Sequence, residues 1–173
     1  PDGMEYDGLF FLSDRFYYGF DGSPRSYLAL IAVHETAHQW WYARVGSDQA
    51  LEPWLDEALC TYSELLFYES LNPELAGWWW GFRIEPYAPD GSLNATIYDF
   101  SQFTPYRNRV YLRGALFLGA LRQAMGDGAF FDALRAYLER FDGQIATRSD
   151  FLDVFQQATS VDLSTLIVDA FKP

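Results

Sequence analysis

The chain has 173 residues, 24 acidic against 12 basic, and a net charge of −12. That surplus and the lack of a basic patch exclude a nucleic-acid-binding surface. One domain is expected at this length, and with half the residues apolar it can bury a full core. Many of the aromatic side chains belong in that core, though so many in a short chain also fit surfaces that bury against something else. No apolar run reaches the length of a membrane span. The chain starts on Pro1 rather than Met and reads as a processed or excised piece, so its source and compartment stay open. Cys60 is the one cysteine, which rules out an intrachain disulfide.

Residues 1–20 mix Gly, aromatic and acidic residues without helical periodicity, so extended structure is expected around Gly8–Tyr18, with a turn at Asp21-Gly22-Ser23-Pro24. Ser23 and Pro24 suit a helix start, and a helix is expected from about Pro24 to Arg44. Leu28–Val33 is apolar nearly all round, as a buried helix requires. A second helix should open after Pro53, run from Trp54 to about Leu71, and close at Asn72-Pro73. Residues 73–86 read as a third helix carrying Trp78-Trp79-Trp80, and Tyr87 to Pro105 as a long loop of the kind that borders sites. Helices follow from about Arg107 to Met125, from Ala129 to about Phe141, from a Ser149 cap to about Thr159, and briefly from Asp162. The fold class is mainly α with a small β portion at the N-terminus.

His34-Glu35-Thr36-Ala37-His38 carries both histidines of the chain. Residues four apart share a helix face, so both imidazoles can meet one ion, and Glu35 projects beside it where a carboxylate can take a proton from water. A catalytic zinc uses three protein ligands and keeps a fourth position open, which makes Glu57 the candidate third ligand. The plainer alternative is a surface helix carrying these residues without a metal. Glu64, seven residues after Glu57, admits two readings: a carboxylate orienting a ligating imidazole, or a solvated surface group. Cys60 reads as a small packed side chain, because both histidines are committed and no base remains to activate it.

With these residues in hand, the chain resembles the gluzincin zinc aminopeptidases, the family of aminopeptidase N and the leukotriene-hydrolase/aminopeptidase. Eighteen residues separate His38 from Glu57, which sits in Trp54-Leu55-Asp56-Glu57-Ala58, with Ala58 where the family usually has Gly. Gly3-Met4-Glu5-Tyr6 is similar to the family's upstream G-x-M-E-N motif, shortened by a step and with Tyr6 for Asn. Tyr111-Leu112-Arg113-Gly114 is similar to its Tyr-x-Lys-Gly motif, with Arg for Lys. The resemblance implies a truncated, thermolysin-like catalytic domain. Residues 1–22 would be the remnant of a β lobe carrying the exopeptidase-like motif, and residues 23–173 a helical lobe.

It further implies one Zn²⁺ held by His34, His38 and Glu57, with Glu35 as general base and Tyr111 as oxyanion donor. Gly3, Met4 and Glu5 would bind substrate, Glu5 through the free α-amino group of a peptide. On residues alone, Glu5 reads as a carboxylate at a strand edge and Tyr111 as a core ring. The implied function is zinc-dependent peptide hydrolysis that releases N-terminal residues, with flanking domains in the parent protein. The alternatives are a zinc endopeptidase or other hydrolase on the same scaffold, and a metal-binding interaction module inactive as an isolated domain.

Overall fold

The computed structural model describes residues 2–172; Pro1, the first residue assigned above to a β-lobe remnant, lies outside them, as does Pro173. Strands β1 (Gly3–Tyr6) and β2 (Leu9–Leu12) form an antiparallel hairpin about Asp7-Gly8, in register Gly3 with Leu12 and Tyr6 with Leu9. Extended structure therefore begins earlier than expected and ends at Leu12, where a short 3-10 turn, Asp14–Phe16, takes over.

Helix α1 (Tyr27–Trp41) starts three residues later than the Ser-Pro pair suggests. Ser23 instead accepts a hydrogen bond from the Arg25 amide, and the hydroxyl of Ser26 caps the helix by accepting from the Ala29 amide. Either serine could satisfy a free helix N–H. The one used is set by where the hairpin delivers the chain. Helix α2 (Trp54–Leu71) has the expected bounds, because Pro53 and Asn72-Pro73 both act locally.

The third helical segment is irregular: α3 (Ala76–Trp79) runs into a π-helical turn, Trp80–Ile84. After the long loop, α4 (Phe103–Arg107), a π-helical turn over Asn108–Arg113, and α5 (Gly114–Met125) make one continuous helical run. It starts four residues before the expected position. Helices α6 (Asp127–Phe141), α7 (Arg148–Gln157) and α8 (Ser164–Phe171) complete the chain. Thr147, not Ser149, caps α7 in a reciprocal box with Asp150. Between the helices, β3 (Val45–Gly46) and β4 (Gln144–Ile145) form a two-residue parallel ladder that pattern reading does not anticipate.

α1 and α2 pack against each other, and α5 and the π turn pack on α2. The core behind them holds Leu30, Leu55, Leu65 and Tyr68 and an aromatic cluster in which the Trp54 ring lies 5.1–5.9 Å from Phe117, Phe151 and Phe171. Gly114 approaches α2 so closely that a β-carbon there would overlap the methyl of Ala58. This contact ties one departure from the usual motifs, Ala58, to a position that keeps the motif residue: with Ala58 on α2, α5 can pack at this distance only through Gly114. Among the described residues no helix is long and apolar enough to cross a membrane. The chain is mainly α with a small β portion, as expected.

Candidate metal centre

α1 and α2 bring His34, His38 and Glu57 together. His34 and His38 are buried, with ring centroids 5.0 Å apart. Glu57 Oε2 lies 3.1 Å from His34 Nε2 and 3.6 Å from His38 Nε2. Each imidazole is anchored from behind by a carboxylate of α2: His34 Nδ1 donates to Glu64 Oε1 at 2.9 Å, and His38 Nδ1 donates to Asp56 Oδ1 at 2.6 Å. With both Nδ1 atoms satisfied, both Nε2 atoms face Glu57, and the three donor atoms lie within 4.8 Å of one another. Ligands about 2 Å from a common zinc in a tetrahedral site are about 3.3 Å apart, so two imidazole nitrogens and one carboxylate oxygen at these separations fit that ion.

Glu64 resolves in favour of the orienting role. It is fully buried and accepts from four donors: His34 Nδ1, Trp79 Nε1 at 2.9 Å, and Arg83 through Nε at 2.9 Å and Nη2 at 3.0 Å. Burial alone would raise its pKa, but Arg83 beside it and the His34 hydrogen bond hold it below the ordinary value. The surface reading fails because Glu64 stands on the face of α2 turned to α1, where the irregular segment after α3 delivers Trp79 and Arg83. Asp56 and Arg83 were missed as site residues. Asp56 did carry a signal, since an acid one position before the third ligand in a buried first turn needs a partner. Arg83 carried none, because its reach depends on the π-helical turn.

Glu35 is buried, and its Oε2 has no hydrogen-bond partner among the described residues. Burial raises its pKa to about 7 against the lowering effect of the two imidazoles. Gly3 packs directly on this carboxylate, and any β-carbon there would overlap it. For His34, burial favours the neutral form, yet hydrogen bonds to Glu57 and Glu64 outweigh it and raise the pKa to about 10 in the metal-free protein.

Tyr111 lies on the π-helical turn, a distortion often found at functional sites. Its hydroxyl donates to Glu57 Oε1 at 2.5 Å and its ring stacks on His34 with centroids 5.6 Å apart. Burial, followed by the Glu57 charge, holds the phenol well above its ordinary pKa. Glu5 reaches the margin from β1, grouped with Glu35 and His38, and its Oε1 accepts a long contact of 3.4 Å from Gln49 Nε2. Met4 is partly exposed on the same strand. Cys60 is buried and burial pushes its thiol well up, as a packed side chain requires.

All eight expected site residues line or border one cleft of about 610 Å³, bounded by β1, α1, α2 and the α4–π run. A second cavity, of about 500 Å³, lies on the outer side of α1 between Trp40 and Phe67. Its walls carry no ionisable group, so the chemistry belongs to the first.

Comparison with known proteins places the chain in a family. The peptidase family M1 domain matches residues 2–171. Aminopeptidase N of Lactococcus lactis subsp. lactis is 26% identical over 159 residues, which are 84% of this chain and 18% of that protein. Aminopeptidase M1-A of Oryza sativa subsp. japonica is 23% identical over 148 residues, 81% of this chain and 17% of that one. A variant M1 zinc metallopeptidase from Deinococcus radiodurans, solved with a Tyr-Ser-Ala substrate, superposes with a TM-score of 0.73 at 27% identity, covering 98% of this chain and 36% of that one. The chain thus spans under a fifth of the length of these two curated relatives. With the match running through nearly every described residue, the chain belongs to peptidase family M1.

Proposed function

We propose that this chain is the zinc-binding catalytic part of an aminopeptidase that releases N-terminal residues from peptides. The observation that carries the reading is the pair of imidazoles whose Nε2 atoms meet Glu57 while buried carboxylates hold each Nδ1, with the unpaired oxygen of Glu35 alongside. His34, His38 and Glu57 would hold one Zn²⁺; two imidazoles and a carboxylate also suit other divalent ions, and zinc is the ion in the names of the similar structures. When bound, zinc lowers the pKa of water towards neutrality and polarises a carbonyl.

The chain's own residues do the rest. Glu35 takes the proton of the attacking water and delivers it to the leaving amine, through the oxygen that has no hydrogen-bond partner among the described residues. Tyr111 gives up its hydrogen bond to Glu57 and donates to the carbonyl oxygen as negative charge develops there. Glu5 receives the substrate's α-ammonium group, with Gly3 and Met4 forming the strand edge beside it. Residues 1–22 serve as part of a β lobe and residues 23–173 as the helical lobe, with flanking domains of the parent protein closing over the cleft. The greater length of the relatives supports the presence of flanking domains.

Metal content tests the reading first. Protein purified without added metal should contain about one zinc per chain, and His38→Ala should lose it. Zinc-loaded Glu35→Gln should retain the metal while turnover falls by roughly 10²–10⁴-fold, the usual contribution of a general base. Undiminished turnover in that variant would refute the mechanism. The long Gln49 contact to Glu5 supports a second reading, an endopeptidase, because it leaves the amine anchor loosely held. Cleavage of N-acetylated peptides as fast as free ones would select it.

A further inference from the structure

The cleft is lined by Asp2, Glu5, Glu35 and Glu57, an acidic wall suited to a substrate ammonium group. Two guanidinium groups also reach it, and they differ in their state of charge compensation. Arg83 is committed to the buried carboxylate of Glu64. Arg107 has no carboxylate within 4.0 Å among the described residues. It stacks over the Tyr87 ring at 4.3 Å, and its Nε and Nη2 donate to Asn108 Oδ1 at 3.2 and 2.8 Å. These contacts hold the group in place while leaving its charge uncompensated and three of its five N–H donors free. Of the two guanidinium groups that line this cleft, Arg107 is the one left without a carboxylate among the described residues.

Phe103, Arg107 and Tyr111 are spaced four apart and line the same wall of the cleft. Arg107 therefore shares the cleft of about 610 Å³ with Tyr111 and the candidate metal ligands, so a carboxylate on a short peptide bound there can meet the guanidinium.

We infer that Arg107 is a specificity-determining residue that binds a carboxylate of the substrate, and that the preferred substrates are very short peptides whose C-terminal α-carboxylate reaches it. A planar guanidinium is the side chain suited to that partner, since it can pair with both oxygens at once. An acidic side chain just after the cleaved bond offers the same chemistry. This inference rests on the peptidase reading of the cleft.

The test uses the zinc-loaded chain and three ligands: Ala-Ala-Ala, its C-terminal amide, and Ala-Glu-Ala amide. Binding is measured by calorimetry in the Glu35→Gln background, which slows cleavage, and kcat/KM is measured with Glu35 intact. Loss of the α-carboxylate should weaken binding roughly tenfold or more, with a matching fall in kcat/KM. Arg107→Gln should bind the free acid and the amide alike without a change in unfolding temperature, and Arg107→Lys should restore part of the preference. If Ala-Glu-Ala amide binds as well as the free acid, and Arg107→Gln removes that advantage too, Arg107 reads carboxylates from either source.

Equal binding of all three ligands, or a preference that survives Arg107→Gln, overturns the inference while leaving the peptidase reading intact. Failure of every ligand to bind and to be cleaved removes the peptidase reading, and this inference with it.

Discussion

The two sides of the cleft are built to opposite standards. On the helical side the Nδ1 atom of each imidazole is anchored by a carboxylate. Glu64 is fully buried with Arg83 and Trp79 behind His34, and Asp56 is buried behind His38. On the hairpin side, β1 and β2 leave Met4, Tyr6, Leu9 and Phe11 exposed, and Glu5 has only its long contact with Gln49. Donor atoms for an ion tolerate little error, and the candidate ligands are braced by paired buried charges. A group proposed to receive successive substrates has no such need, and its edge rests on the main-chain ladder and two hydrogen bonds between Gln39 and the backbone of Tyr6 and Gly8.

The contrast can be broken most severely at Glu64. Glu64→Ala leaves the Arg83 charge buried without a partner, which should cost about 3–5 kcal/mol by chemical denaturation of the metal-free protein. It also frees the His34 ring, so zinc affinity should fall by roughly 10–100-fold in a chelator competition. An unchanged affinity would mean that the bracing of His34 plays no part in metal binding.

Gly114→Ala tests the same rigid side without touching a charge. The added methyl must displace Ala58 and with it the α2–α5 contact, an overpacking cost of about 1–3 kcal/mol. The double variant Ala58→Gly with Gly114→Ala should recover much of that loss, and no recovery would place the strain elsewhere.

The paired charges also make metal uptake depend on pH. His34 holds a proton up to about pH 10 in the metal-free protein, because its carboxylate partners outweigh burial. A ligating imidazole must present a free nitrogen, so binding displaces that proton. Zinc affinity should therefore rise at least tenfold per pH unit through the neutral range, and calorimetry in buffers of different ionisation heats should detect at least one proton released. No proton release would mean that His34 is already neutral in the metal-free protein.

On the hairpin side the expected effects on stability are smallest. Glu5→Gln should shift folding stability by less than about 0.5 kcal/mol, as partly exposed substitutions do, while raising KM for peptides with a free amino terminus. A rise in KM of the same size for N-acetylated peptides would show that Glu5 does not read the amine.

Much of this was legible in the sequence where the signal is local. The spacing of His34 and His38 places both on one helix face wherever the helix lies, and Pro53 and Asn72-Pro73 bound α2 regardless of its neighbours. The eighteen-residue interval to Glu57 was informative through the resemblance to the gluzincin aminopeptidases. Tertiary structure decided what depends on approach between segments distant in the chain. Whether Glu64 meets water or His34 depends on how α1 and α2 face each other, and Arg83 reaches Glu64 only through the π-helical turn after Trp79. The β3–β4 ladder likewise exists only because two interhelical connections nearly a hundred residues apart come into register. The choice of Thr147 over Ser149 as a cap, by contrast, is local, because Asp150 three residues on completes the reciprocal box. Periodicity and breakers act within a few residues, whereas charge pairing and burial are properties of the packed whole, and those are the properties that brace two histidines and a glutamate into a candidate metal site.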